Sequence, residues 1–468
     1  MIYHVQFTLD QFAPIAVYHK LKEIFRDEIS YLFESAGQSE GNYSFIMIGA
    51  RERLQYKDDV TVYTNALEEV EIKEISPFQF LKDYYKTIDT TIYKSACKEL
   101  DVGYVDGFIG YIGYDMVKVF EPKLKNSMDH LKDELHAPDL DLILPKLVVV
   151  YSHKNNKISL ISVLDEMKER FNELELFLKD SYKYIPMIKN IGNDEGSFAF
   201  DKEQFFSMVE RSKEMIRSGD VFQILMTNRF TRKIKVDPFS FYRVLRTKNP
   251  SPYMFLMEYE DFNIVGSSPE VMVRLTDGQI LLRPIAGTRK RGGTKQRDKE
   301  LENELLSDPK ELAEHLMLID LGRNDVGRVA RTGSVKVEDM MHIERFSHVM
   351  HIVSDVVATL REDKDMFDLF MSTFTAGTMT GAPKIRAMEL IAEFEGLKRG
   401  FYSGSIGYFG FDGNMDSAIT IRTAMVKPES VILQAGAGIV ADSVNELEYL
   451  EVTNKLGALM SSLKDLDE

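Results

Sequence analysis

Two tight turns between alternating apolar segments constrain the fold of this chain more than any other feature. One turn lies at Asp277-Gly278 and the other at Asp412-Gly413, and each predicts a β-hairpin. The segment 430–440 predicts a further strand directly after the second hairpin. Segments with helical spacing, such as 382–394, alternate with these strands. The sequence therefore predicts an α+β fold in which large, mostly antiparallel sheets are covered by helices, with an N-terminal α/β part.

A polar, glycine-containing stretch at 189–197 indicates the main division of the chain. Before it, short strands are mixed with helices. After it the elements are longer, beginning with a helix at about 201–218 that ends at Gly219. We expect an N-terminal region at 1–188 and a catalytic domain at 198–463.

The formal net charge of −16 restricts the partners of this protein. An acidic chain repels nucleic acid and anionic lipid, so we expect neither as a main partner. The sequence has no apolar stretch long enough to span a membrane and no signal-peptide pattern at its start, which favours a cytoplasmic location. Its single cysteine, Cys97, excludes an internal disulfide framework. The basic run at 289–297 contains a glycine pair and is predicted to be a mobile loop.

Two acidic pairs suggest a cation site. Glu311 and Glu314 lie one helical turn apart, as do Glu448 and Glu451, and apolar residues flank each pair at helical spacing. Most such pairs are solvated helix faces, because Glu is a good helix former. If all four oxygen ligands converge, magnesium is the natural ion.

Two glycine-rich segments look like nucleotide-binding motifs but do not fit them. In 377–384 the glycine spacing is one residue short and no Ser or Thr follows the Lys, so a phosphate-binding loop is excluded. In 436–441 the chain ends too soon for a dinucleotide-binding unit. Gly436 and Gly438 instead indicate that the strand backbone comes close to a ligand or to another segment.

His348 and His351 are three residues apart in a strand-like segment. Strand geometry directs them to opposite faces, so joint chelation of a metal is disfavoured and one of them at most belongs to a site.

Several long motifs together resemble one known family. They are, in chain order, PIAGTRKRG (284–292), AEHLMLIDLGRNDVGRV (313–329), HVMHIVSDV (348–356), AGTMTGAPKIRAMELI (376–391), MDSAITIRTA (415–424) and QAGAGIVADSVNELEYLEVTNK (434–455). These strings are similar to those of the chorismate-utilising enzymes. The family includes enzymes that form anthranilate, aminodeoxychorismate, isochorismate and salicylate. The resemblance implies the fold of that family, chorismate as substrate and Mg²⁺ as cofactor.

Two positions separate these activities. At Ala286 the aminodeoxychorismate-forming members typically carry a Lys that attacks the ring, and a methyl group cannot act as a nucleophile. At Gln223 the isochorismate-forming members carry a Lys that activates water, and Gln cannot act as a base. Both positions match the anthranilate-forming members, which add ammonia to chorismate and release pyruvate.

The resemblance also implies a role for individual residues. The metal ligands would be Glu311, Glu314, Glu448 and Glu451. Substrate would be bound by Arg422, Tyr402, Gly436, Ala437, Gly438, Ala286, Gly287 and Thr288. The catalytic group would comprise Glu270 as general acid, His351 as the base for the C2 proton, Gln223 and Thr378.

Partners follow from the same resemblance. Ammonia is scarce at neutral pH, and Cys97 lacks the glycine context of a nucleophile elbow, so we expect a separate glutamine amidotransferase subunit. L-Tryptophan is expected as a feedback inhibitor in the first step of its own biosynthesis. Its site would be formed by Glu34, Ser35, Pro252, Tyr253 and Met254. Two alternatives stay open: an enzyme that stops after amination, and a non-catalytic tryptophan-sensing subunit.

Overall fold

The architecture consists of many short strands with helices placed on their outer faces. The computed structural model describes residues 1–35, 42–345 and 349–467. In chain order the strands β1 to β22 are Tyr3–Thr8, Ser30–Glu34, Tyr43–Lys57, Val60–Thr64, Val70–Lys73, Gly107–Ile112, Leu140–Ser152, Lys157–Ser162, Ser197–Phe198, Gln223–Arg232, Tyr253–Glu258, Asn263–Ser268, Val271–Thr276, Gln279–Leu282, Ile285–Lys290, Lys336–Arg345, Val349–Thr359, Gly381–Ala382, Ser405–Gly410, Met415–Ile419, Thr423–Lys427 and Ser430–Ile439.

The helices lie between these strands. In chain order α1 to α13 are Pro14–Ile24, Pro77–Tyr85, Thr90–Leu100, Val117–Phe120, Lys125–Met128, Asp165–Lys179, Lys202–Ser218, Pro238–Lys248, Lys295–Ser307, Pro309–Gly327, Met366–Thr373, Lys384–Glu395 and Asn445–Asp467. Short 3-10 helices cover Tyr114–Met116, Pro122–Leu124 and Gly377–Met379. None of the helices within the described ranges has the length and apolar character needed to cross a bilayer.

Both predicted hairpins are present. Asp277 and Gly278 have φ values of 49° and 77°, the left-handed pair that joins two twisted strands in two residues, so β13 turns directly into β14. Gly413 has φ of 87° between β19 and β20. The helix predicted to end at Gly219 is α7, and Gly219 lies in the left-handed region immediately after it. These local signals were sufficient because the turn residues alone determine the connection.

The strand network branches at one two-stranded ribbon. Strands β3 and β7 pair along most of their length, and their register shifts between Ala50 and Glu52. On one side of that bulge β3 pairs with β2, and on the other side it pairs with β4. We call β3 and β7 the shared ribbon, because both halves of the network begin from it. A bulge bends and twists a strand, which lets the two halves diverge.

Each half is a long antiparallel arm. The first arm has the order β1, β8, β7, β3, β2, β11, β12, β21, β22, β10. The second arm has the order β5, β4, β3, β7, β6, β19, β20, β13, β14, β17, with β15 and β16 also paired to β17. The predicted fold class, antiparallel sheets covered by helices, is confirmed.

Two large cores support the arms. One core packs the first arm against α1, α6, α7, α8, α12 and α13, with residues such as Phe205 and Leu456 completely buried. The other core contains the shared ribbon, much of the second arm and α11, with Phe370 and Phe409 in ring contact. Strands from both sides of 189–197 pair in each arm, and the predicted domain division there stays a prediction.

Candidate active site

Residues from the distal strands of both arms lie within electrostatic range of charged side chains on α10 and α13, and we call this region the cleft. On the first arm, β10 and β22 pair so that Leu225 lies opposite Gly438 and Thr227 opposite Gly436, while the intervening Ala437 is buried. A Cβ added to Gly438 would lie 2.6 Å from the side-chain nitrogen of Gln223. The glycine therefore allows the close approach of Gln223, and the predicted contact of Gly438 with a ligand stays a prediction.

Gln223 connects this strand pair to α10. Its Nε2 donates to Glu314 Oε1 at 3.2 Å. Burial raises the pKa of Glu314, the nearby charges of Glu311 and Glu451 raise it further, and the Gln223 hydrogen bond opposes that rise. A cavity of about 350 Å³ opens beside Gln223 and Glu314 and is also bordered by Phe222 and Lys310. Its size lies within the range of small-molecule sites.

On the second arm, β15 and β17 bring the PIAGT segment to His351. Thr288 is the register partner of His351, and Ala286 is the partner of Ile352. His351 Nδ1 lies 2.8 Å from the carbonyl oxygen of Gly287 and 3.1 Å from Thr288 Oγ1. A ring that donates from Nδ1 to a carbonyl carries its lone pair on Nε2, as a base requires. Burial lowers the pKa of His351, which favours the neutral form.

Gly287 allows α10 to approach this segment. It has φ of 65°, and a Cβ there would lie 3.1 Å from Glu311 Oε2. The neutral methyl of Ala286 precedes it, half-buried on β15. The segment thus presents backbone and small side chains to the cleft wall.

Glu270 is a buried carboxyl group that accepts a hydrogen bond from a threonine hydroxyl. It precedes β13 and is 8% exposed. Thr378, on the Gly377–Met379 turn, donates from Oγ1 to Glu270 Oε1 at 3.0 Å. Burial raises the pKa of Glu270 to about 7, while the Thr378 hydrogen bond and the charge of Lys455 act in the opposite direction. A carboxyl group in this state can donate a proton near neutral pH.

Arg422 provides positive charge in the cleft. It has φ of 51°, between β20 and β21, and its own carbonyl accepts from the Ser267 amide. Burial lowers the pKa of its guanidinium, and Tyr402 and Glu451 act on it through space. Tyr402 is 3% exposed, and burial raises its pKa. These two side chains lie within electrostatic range of each other, as a shared carboxylate-binding role requires.

The four glutamates lie on the two helices that border the cleft. Arg289 donates to Glu311 at 3.0 Å, and Lys455 pairs with Glu451 at 2.7 Å. Burial raises the pKa of Glu448, and the charge of Glu451 raises it further. In the part of the chain that the structure describes, no three His, Cys, Asp or Glu side chains are close enough to share one metal ion. The metal assignment stays a prediction.

The residues predicted to bind tryptophan come together where β2 pairs with β11. Met254 is the register partner of Glu34, and Ser35 and Pro252 are half-buried beside them. Glu34 accepts from Tyr242 at 2.6 Å and from Arg246 at 2.8 and 3.0 Å. Tyr253 donates to Asp416 at 2.9 Å. Residues 36 and 37, which directly follow Ser35, lie outside the described residues, as does His348.

Two cations in the cleft were missed from the sequence. Lys455 also donates to the carbonyl of Gly436 at 2.9 Å, which ties α13 to β22. Its position four residues after Glu451 was a readable signal.

The prediction of a mobile loop at 289–297 was wrong at both ends, because β15 reaches Lys290 and α9 begins at Lys295. Arg289 is held by acids of α9 and α10, which lie outside the basic run itself.

Comparisons with known proteins place the chain among relatives of one kind. A family model described as chorismate binding enzyme matches residues 28–461. Anthranilate synthase component 1 of Aquifex aeolicus is 42% identical, over 99% of this chain and 95% of the relative. The crystal structure of anthranilate synthase component I from Streptococcus pneumoniae superposes with a TM-score of 0.78 at 32% identity, covering 91% of this chain and 95% of that one. The menaquinone-specific isochorismate synthase of Escherichia coli has a TM-score of 0.73 at 19% identity, over 99% and 94% of the two chains, and shares the fold.

Proposed function

Because the chain belongs to the family of chorismate binding enzymes, we propose that it converts chorismate and ammonia to anthranilate and pyruvate, the first step of tryptophan biosynthesis. Two observations together carry the proposal beyond the family. Glu270 is a buried acid with a pKa of about 7, and the two positions where related activities need a lysine are Ala286 and Gln223. The site therefore supplies a proton donor without a lysine nucleophile or base at those positions.

Arg422 and Tyr402 are the proposed ligands of one chorismate carboxylate. A half-buried guanidinium gains more from an anion than an exposed one, because water competes less. The backbone of Gly436, Ala437 and Gly438 would lie against the substrate, since the two glycines have no side chain in the way. Ala286, Gly287 and Thr288 would border the substrate from the second arm. This arrangement lets an acidic protein bind a dianion.

We propose that Mg²⁺ is held by Glu311, Glu314, Glu448 and Glu451, some of them through bound water. The donor set fits in chemical type, because it contains carboxylate oxygens alone, and Glu314 and Glu448 both have raised pKa values among like charges. When bound, the ion would neutralise the ring carboxylate of the substrate. Addition of Mg²⁺ should raise the melting temperature, and Glu448→Gln should abolish that rise.

The proton transfers are assigned to Glu270 and His351. Glu270 would donate its proton to the C4 hydroxyl as that group leaves and ammonia adds at C2. Thr378 keeps the Glu270 carboxyl oriented through its 3.0 Å hydrogen bond. His351 would remove the C2 proton, so that pyruvate leaves and the ring becomes aromatic. Its Nδ1 contact with Gly287 supports this role, because it leaves Nε2 as the basic atom.

Ammonia would come from a separate glutamine amidotransferase subunit. Cys97 cannot serve as the nucleophile of a built-in glutaminase, because burial and the neighbouring Asp412 raise its thiol pKa to about 12.

L-Tryptophan is proposed to bind at Glu34, Ser35, Pro252, Tyr253 and Met254. A Ser35→Arg variant that stays fully sensitive to tryptophan would contradict this site.

The test is product identification with the purified chain. Incubation with chorismate, Mg²⁺ and an ammonium salt should yield fluorescent anthranilate and pyruvate, and glutamine should not replace ammonium. Mass spectrometry separates the alternatives, since an enzyme that stops after amination would release a product that retains the pyruvyl group. Absence of any turnover would indicate a non-catalytic subunit.

A further inference from the structure

Arg399 is a completely buried arginine near the cleft whose donors reach several chain segments. Its side chain is 1% exposed, and it lies between α12 and β19. Its Nη1 donates to the carbonyl of Met379 at 2.8 Å, and its Nη2 donates to the carbonyl of Leu225 at 2.9 Å. Its Nε and Nη2 also bind both carboxylate oxygens of Glu395, at 2.9 and 2.7 Å. One guanidinium thus joins three segments.

Glu395 extends the connection along β10. Its Oε1 accepts from the backbone amide and from the hydroxyl of Thr227, both at 2.9 Å. Thr227 is the register partner of Gly436, and Gln434 donates to the same Thr227 hydroxyl at 2.8 Å. The pair of Arg399 and Glu395 therefore fixes the strand β10 that carries Gln223.

The segments that this pair holds are those that carry cleft residues. Met379 directly follows Thr378, whose hydroxyl donates to Glu270. Leu225 lies two residues after Gln223 and opposite Gly438. The carbonyl groups of Met379 and Leu225 both accept from the planar guanidinium of Arg399. A lysine ammonium cannot reproduce this geometry.

We propose that Arg399 and Glu395 form a positioning pair for the proposed reaction, which sets the turn of Thr378 against Glu270 and β10 against β22. This inference rests on the proposed function. Neither side chain needs to touch substrate. Release of Met379 would let the Thr378 hydroxyl move away from Glu270. The hydrogen bond from Thr378 lowers the pKa of Glu270, so its loss raises that pKa.

The decisive readout is the pH profile of kcat/KM for anthranilate formation at a fixed NH3 concentration. Glu270 acts in its protonated form, so activity falls as pH rises through its pKa, and a raised pKa moves the alkaline limb upward. Arg399→Lys should lower kcat/KM about tenfold and move this limb up by about one pH unit. Thr378→Val should move the limb in the same direction. The double variant should move it no further than Thr378→Val alone.

Arg51→Lys is the matched control. Arg51 is also buried and paired with a carboxylate, Asp106 at 2.8 Å, and it also donates to a backbone carbonyl, that of Pro145 at 2.6 Å. The Arg51→Lys variant should have a lower melting temperature, and the alkaline limb of its kcat/KM profile should stay in place. If Arg399→Lys fails to fold, Glu395→Gln keeps the side-chain shape and should produce a smaller shift in the same direction.

Two outcomes would overturn the positioning role. In one, Arg399→Lys lowers the melting temperature while the alkaline limb of its kcat/KM profile stays in place. In the other, the limb shift of the double variant equals the sum of the shifts of Arg399→Lys and Thr378→Val. Failure of the proposed function gives a different result, because the unmodified chain would then form no anthranilate. An active parent with an unmoved limb in both Arg399→Lys and Glu395→Gln rejects this inference alone.

Discussion

The shared ribbon and the cleft both bury a carboxylate, but they surround it with different partners. Asp141, on β7 of the ribbon, has no exposed surface and accepts from Arg53 at 2.8 and 2.7 Å and from Gln55 at 2.8 Å. Glu270, in the cleft, is nearly as buried and has the Thr378 hydroxyl at 3.0 Å. Burial raises the pKa of both carboxyl groups; at Asp141 the bidentate hydrogen bonds from Arg53 oppose that rise, whereas at Glu270 the Thr378 hydroxyl and the charge of Lys455 oppose it. The hydrogen-bond partners therefore decide the role of each carboxylate, because Asp141 and Glu270 are similarly buried.

The largest expected effect tests the cleft side of this comparison. Glu270→Gln keeps an acceptor for Thr378 but cannot give up a proton. We expect kcat/KM to fall about 10³-fold, close to 4 kcal/mol in the barrier, with an unchanged melting temperature. Anthranilate fluorescence and thermal denaturation measure the two quantities. A variant that keeps a tenth of the activity would show that Glu270 is not the acid.

Asp141→Asn tests the ribbon side. Loss of the paired charge leaves Arg53 partly buried with a weaker partner, and we expect the free energy of unfolding to fall by about 3 kcal/mol. The folded fraction should keep its kcat/KM within about twofold, because Asp141 lies outside the cleft. Urea denaturation gives the stability. Glu260→Gln is the matched control: Glu260 pairs with the same Arg53 but its side chain is 55% exposed, so its removal should cost less than about 1 kcal/mol.

The pH dependence of kcat/KM tests the comparison further, because the carboxyl group of Glu270 should titrate near neutral pH. Burial raises the pKa of Glu270 to about 7, so the acid is lost as pH rises through that value. At constant NH3 concentration, kcat/KM should fall about tenfold per pH unit above the limb. The acidic limb should lie below the ordinary pKa of histidine, since burial lowers that of His351. A profile that stays flat up to pH 9 would contradict the assignment of Glu270.

Gly438→Ala should give the smallest effect. The added Cβ would lie 2.6 Å from the flexible end of Gln223, which must move and lose its bond to Glu314. We expect kcat/KM to fall about fivefold, close to 1 kcal/mol. Gly457→Ala in α13 is the control, because nothing lies within 4 Å of its added Cβ. That change should leave activity intact and raise stability by about 0.5 to 1 kcal/mol.

Local chemistry in the sequence predicted the local parts of the fold. The Asp277-Gly278 hairpin and the end of α7 at Gly219 depend on residues that are neighbours in the chain. The branch at the shared ribbon could not be predicted in this way. It depends on pairings such as β2 with β11, which join residues on either side of 189–197.

The site features likewise divide into those that local sequence predicts and those that depend on distant segments. The acidic pairs and the close approach at Gly438 were readable from spacing and residue type. The reaction assignment required the resemblance to a family, because Ala286 and Gln223 are informative only against enzymes that carry lysine there. The raised pKa of Glu270 and the contacts of Arg399 depend on burial by distant segments, which no local pattern reports.

The branching of the strands also sets the timing of folding during synthesis. When the first half of the chain has been made, β2 and β6 exist without the partners β11 and β19, which pair with them from Met254 onward and from Ser405 onward. At the usual speed of translation each partner emerges roughly 10 to 60 s after the strand that it pairs with. Until then both strand edges can pair with other chains. The growing polypeptide is therefore most exposed to aggregation in this interval, which ends when β11 and β19 pair with β2 and β6.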